Sequence, residues 1–186
     1  MSYAAIGCES LIGITFVLAA LSKVRDRASF NAFVDAVRGL GVTPRRRADR
    51  VAVAAVGAEA AVPLLLGIAL AGRTAAPLVA GLVTALALLT VFTAIILVSM
   101  RHGDRVTCRC FGASGTPMGW RHVARNALLS TAVLVALVSE SASPGARIDA
   151  GGAAIAAATG CVAALLVAFL DDIVDLFAVG RDVASR

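Results

Sequence analysis

Two cysteines one residue apart, Cys108 and Cys110, are the part of this sequence best suited to chemistry. They stand in the run Thr107-Cys108-Arg109-Cys110-Phe111-Gly112. Three readings are open. The first is a redox pair. Residues i and i+2 come to disulfide distance (Cα separations of about 4.4–6.8 Å) only if the residue between them bends, and the small strained ring is then easily reduced. Arg109, with Arg105 close by, would lower a thiol pKa and raise the thiolate fraction. The second is half a zinc site completed by His102 and His122, although the spacing matches none of the common finger patterns. The third is two unpaired surface thiols. Gly112 permits a turn that brings the chain back to the membrane, and Phe111 can anchor the loop at the interface.

Glu59 is the second chemical anomaly. It is the ninth residue of an apolar run, Val51 to Ala71, and so lies about 13 Å along a helix of 1.5 Å rise. A carboxylate at that depth is costly and faces a bundle interior or a cavity. Pro63, at i+4, cannot donate to the carbonyl of residue 59, so a kink is expected there. Lys23 and Arg125 are the cations expected within its reach. Two roles remain open for Glu59: an ion pair that holds helices together, and a proton carrier or ligand contact beside the thiols. Glu9 is expected near the opposite face, where an interfacial position explains it. Cys8 and Cys161 lie inside apolar runs and read as small packing residues.

These residues are positioned by long apolar segments. Of the 186 residues, 59% are hydrophobic and only 16% charged, against about 25% charged in a soluble domain. The net charge of +5 does not indicate nucleic acid, because the charges sit in the gaps between apolar runs. That is the pattern of an all-α integral membrane protein. Spans are expected at about 4–22, 51–71, 74–100, 120–139 and 150–170, in one domain. The fourth requires its basic start, including Arg125, to lie at the interface, so a bundle of four spans plus an interfacial segment is the alternative to five. The first run has no Lys or Arg ahead of it and reads as an uncleaved first helix, not a signal peptide.

Loop charges give an orientation. Eight basic residues lie between Lys23 and Arg50, then Arg73 alone. Arg101, Arg105, Arg109 and Arg121 follow, then Arg147 alone, then Arg181 and Arg186 in the tail. The alternation places the N-terminus outside and the basic loops, with Cys108 and Cys110, in the cytoplasm of a cell that carries the protein in its plasma membrane. Disulfide formation belongs outside the cytoplasm, so a pair on this side would work reductively or as a sensor. Phe30, Phe33, Val34, Val37 and Leu40 recur at helical spacing. They predict an amphipathic helix over about 29–40, lying on the membrane surface.

An ordered set of motifs resembles the MauE/DoxX-like membrane proteins. It comprises Ala20-Leu21-Ser22-Lys23-Val24-Arg25-Asp26, Glu59, Cys108-Arg109-Cys110-Phe111-Gly112, and Arg125-Asn126-Ala127-Leu128-Leu129. The resemblance runs from about residue 6 to 138. It implies a small helical bundle associated with thiol-disulfide chemistry. In the methylamine-utilisation branch it implies helping a partner enzyme acquire disulfides alongside a thioredoxin-like protein. The implied architecture is similar to the vitamin K epoxide reductase bundle, with a quinone as the candidate electron carrier. This chain departs from that enzyme in having Cys-x-Cys instead of Cys-x-x-Cys, and no second pair in its first loop, so a shuttle needs a partner thiol from elsewhere.

The leading expectation is therefore a membrane thiol-disulfide redox protein. Cys108, Cys110 and Glu59 would carry the chemistry, supported by Arg109, Lys23, Arg125, Asn126, Phe111 and Gly112. A non-catalytic scaffold that docks a soluble redox protein is the alternative. A small-solute transporter using Glu59 and the Pro63 break is a third.

Overall fold

The computed structural model describes residues 2–39, 44–72, 74–102, 119–142 and 149–170. Cys108, Arg109, Cys110, Phe111 and Gly112 lie outside the described residues. The elements are α1 (Tyr3–Val24), α2 (Arg27–Gly39), a single 3₁₀ turn (Arg45–Arg47), α3 (Ala48–Gly72), α4 (Ala75–His102), α5 (Trp120–Ala142) and α6 (Ala150–Ala168). Among the described residues, five of the six α-helices, all except α2, are long and apolar enough to cross a membrane. The protein is an all-α, multi-pass membrane bundle.

Helices are what lipid permits, because a backbone N–H or C=O in hydrocarbon must find its partner within the segment. Several hydroxyls in the spans obey the same constraint, Thr15 being a buried exception. Thr84, Thr90, Thr93, Thr131 and Thr159 each donate to the carbonyl four residues earlier, so none adds an unsatisfied group to the apolar surface. Helix starts are capped by side chains. The Ser2 hydroxyl accepts from Ala5 N–H at 3.2 Å, and Asp149 accepts from Gly152 N–H at 3.1 Å. In the turn before α2, Asp26 accepts from Ser29 N–H at 2.7 Å. That bond favours the ionised carboxyl and holds Asp26 below the usual carboxylate range.

α1, α3, α4 and α5 close into a ring in which each helix packs on its two neighbours, and α6 packs on the outside of α1. The interior is filled by Ile12 and Phe16 of α1, Val62 of α3, Leu82 and Leu89 of α4, and Leu129 and Val133 of α5. Large apolar side chains also cover the outside, for instance Leu70 and Ile155, which are 75% and 71% exposed. Lipid is as apolar as the core, so the residues that distinguish inside from outside are the small and the polar ones.

Two details differ from the sequence expectation. α3 begins at Ala48 instead of Val51. Pro63, whose ring removes one donor, lies inside this helix, which runs on to Gly72. α2 does not give its apolar face to lipid: Phe33 and Val34 are buried against Ala52 of α3, with Phe30 and Val37 packed around them. The early start of α3 supplies a helical wall beside α2, and the small Ala52 lets the phenyl ring approach it.

Candidate functional site

The polar residues of the bundle interior gather at one end. Lys23 occupies the last turn of α1, Glu59 lies in α3, and Arg125 and Asn126 follow the first turn of α5. Their exposures are 2%, 1%, 5% and 6%. Each reaches the interior through helical register. On α1, Thr15, Ala19 and Lys23 repeat at i+4 and form one buried stripe. Arg125 and Asn126 open the buried face of α5 that continues with Leu129 and Val133.

Lys23 and Glu59 form a buried ion pair. The Lys23 ammonium donates to both Glu59 carboxylate oxygens at 2.8 Å, and to the Ala19 carbonyl at 3.2 Å. Bidentate contact with an extra carbonyl acceptor is the arrangement that offsets the desolvation of two ions. The Phe33 ring of α2 closes over the ammonium, its centroid 5.2 Å from Nζ, within cation–π range. α2 is thus a roof on the ion pair. Asn126 donates from its amide to the Thr93 hydroxyl of α4 at 3.2 Å, which ties the fourth helix of the ring to the third.

A cavity of about 30 Å³ lies between these residues, lined by Thr15, Phe16, Lys23, Glu59, Arg125 and Asn126 together with apolar side chains of α4 and α5. One water needs about 10–15 Å³ of such space, so the cavity suits one or two waters. Small-molecule pockets run to about 300–1,000 Å³, so the space between these helices among the described residues is much smaller than those. The wall carries an ammonium, a guanidinium and one carboxylate. It can hold a polar, water-sized guest in a positive field or pass a proton through a bound water. Among the described residues no group of three or more His, Cys, Asp or Glu is placed to hold a metal ion. His122 is buried at the start of α5 and engaged in further interactions, as are Arg125 and Lys23.

Of the expected site residues, the structure brings Glu59, Lys23, Arg125 and Asn126 together. The expected choice between Lys23 and Arg125 as partner of Glu59 resolves to Lys23. Sequence reasoning missed three residues: Thr15, Phe33 and Thr93. Thr15 had a readable signal, its i+8 spacing to Lys23. Phe33 was visible only as one member of an apolar face, and Thr93 had no signal. Glu9, toward the other end of α1, is half-buried, and its Oε1 is shielded from solvent without a hydrogen-bond partner. Helices α5 and α6 both pack on α1 and exclude water that an isolated helix end would meet.

The model of one protein family, described as methylamine utilisation protein MauE, matches residues 1–139. The matched stretch takes in the four-helix ring almost to its last turn, all four gathered polar residues and the Cys108–Cys110 segment; it stops short of α6. No curated protein and no solved structure matches the chain.

Proposed function

The chain belongs to the MauE family, and from that premise we propose that it is a membrane thiol-disulfide redox protein acting through Cys108 and Cys110. The observation that carries this reading is the buried Lys23–Glu59 pair with Arg125 and Asn126 at its side. It stands at the end of the bundle where α4 finishes and α5 begins, the two helices that the Cys-x-Cys segment connects. Burying ions at that end costs more than packing apolar residues in their place, which supports a role for them beyond holding the helices together.

The exchange balances without a bound cofactor. The thiolate of one cysteine attacks a partner's disulfide, giving a mixed disulfide and one partner thiolate. The thiolate of the other then displaces the second partner sulfur. Cys108 and Cys110 end as a disulfide and the partner as a dithiol, with two electrons transferred. The reverse sequence oxidises the partner. Arg109 favours the attacking thiolate. Glu59, held by Lys23, takes or returns a proton through water. The partner is a thioredoxin-like or other soluble redox protein. The loop charges put this end in the cytoplasm, with the N-terminus outside, in the plasma membrane.

Trapping tests the proposal. A Cys110→Ser variant should capture a partner through Cys108 as a mixed disulfide that a reductant releases, or Cys108→Ser should do so through Cys110. Full function in the double serine variant, with thiols that resist mild oxidants in the parent, would overturn the redox reading in favour of a scaffold.

A further inference from the structure

The outer rim of the same end carries a second, independent feature. Arg46 and Arg47 lie in the 3₁₀ turn and Arg50 in the first turn of α3, and all three side chains are exposed. Arg50 stands about one helical turn beyond both Arg46 and Arg47, so its charge sits beside theirs, which is unfavourable unless an anion bridges them. The acids nearby are already committed. Arg38 of α2 binds Asp35 at 3.0 Å and Asp49 at 2.9 Å. Among the described residues no ion pair engages Arg46, Arg47 or Arg50. Arg46 also borders an open cleft of about 690 Å³ between α2 and α3, with Arg38, Gly39 and the two Arg38-bound acids as its other walls.

Depth on the helix says what anion meets them. Immediately after Arg50, α3 turns apolar side chains outward: Val51 is 38% exposed and Val53 60%. The boundary between polar and apolar surface therefore runs past Arg50. At that level of a bilayer stand the phosphates of the lipid headgroups. Guanidinium groups present a planar fork that pairs two-pronged with phosphate oxygens.

We propose that Arg46, Arg47 and Arg50 form a binding site for the phosphate of an anionic phospholipid, seated at the foot of α3 beside the α2 cleft. A zwitterionic lipid brings its own cation to the same place and gains less. The bound lipid would neutralise the like-charge cluster and fix the start of α3, the helix that carries Glu59. The lipid site needs no cysteine chemistry and stands whether or not the redox reading does.

The experiment is a lipid titration of the full-length protein in detergent, read by native mass spectrometry, with phosphatidylglycerol and phosphatidylcholine compared. The parent should retain phosphatidylglycerol in preference. The R46Q/R47Q/R50Q variant should lose that preference by about a hundredfold, from about 1 kcal/mol per basic residue at a membrane surface. R46K/R47K/R50K, which keeps the charge but not the fork, should fall between the two, which separates loss of charge from loss of fold. Raising salt should weaken it. Equal retention of the two lipids by the parent, or an unchanged preference in the glutamine variant, would overturn the proposal. So would displacement of phosphatidylglycerol by inorganic phosphate beyond the effect of chloride at equal ionic strength, since the site would then belong to a free phosphate.

Discussion

The two ends of α1 are held by opposite means. Its first half meets α6 along a seam of small residues. A Cβ added at Gly160 would collide with the Gly7 backbone carbonyl, and the Tyr3 ring lies against Gly152. Its last turn meets α3 through charge, with Lys23 on Glu59. Where no hydrophobic force separates helix from lipid, close backbone approach and buried polar contact are the two remaining sources of specificity. The seam rewards the absence of side chains and has no partner-dependent state. The ion pair costs desolvation and is worth keeping only where charge does something. The end that gathers Lys23, Glu59, Arg125 and Asn126 is the one that buries a paired charge, and α6 falls beyond the family match.

The comparison can be broken most forcefully at the ion pair. Glu59→Leu or Lys23→Met leaves one buried charge alone and should cost about 3–5 kcal/mol of stability, while the double replacement should recover much of that loss. Thermal unfolding of the three variants in detergent checks it. Additive losses would mean that the two residues do not act as a pair. At the seam, Gly160→Leu should separate α6 from α1 and cost about 1–3 kcal/mol through overpacking. A cysteine-labelling or proteolysis assay should find α6 loosened while the ring stays intact, since α6 packs only on α1 among its substantial contacts. Equal disruption of the Lys23–Glu59 end would erase the distinction between the two halves.

The smallest effect is at the turn that follows Lys23. Ser29 N–H holds the Asp26 carboxyl below its ordinary pKa, so the capping interaction is complete above the usual carboxylate value of about 3.9 and fades as pH falls through the lowered one. Protection of the α2 amides, measured against the intrinsic exchange rate at each pH, should fall in acid over that window, and in Asp26→Ala it should be low throughout and insensitive to that window. If protection is the same on both sides of the window, the cap does not hold α2.

Much of this was legible before the fold was known. The spans could be counted because a bilayer selects by length and apolarity, and both are one-dimensional properties of the chain. Glu59 announced an interior position by cost alone. The heptad-like spacing of Phe30, Phe33, Val34 and Val37 announced a helix, but not what its apolar face would cover. Lipid and protein are equally good partners for phenylalanine, and only the register of α3 placed Ala52 beside Phe33.

What the sequence by itself determined is the membrane class, the apolar runs that become the spans and the set of residues too expensive to leave facing lipid. What the tertiary structure decided is pairing: Lys23 and not Arg125 on Glu59, Asn126 on Thr93, Phe33 over the ammonium, and α6 against Gly7. The reason is geometric. A charge must be neutralised somewhere, and its cost can be read along the chain. Which group neutralises it depends on how each helix is rotated and crossed against its neighbours, and that rotation is set by the packing of all the others.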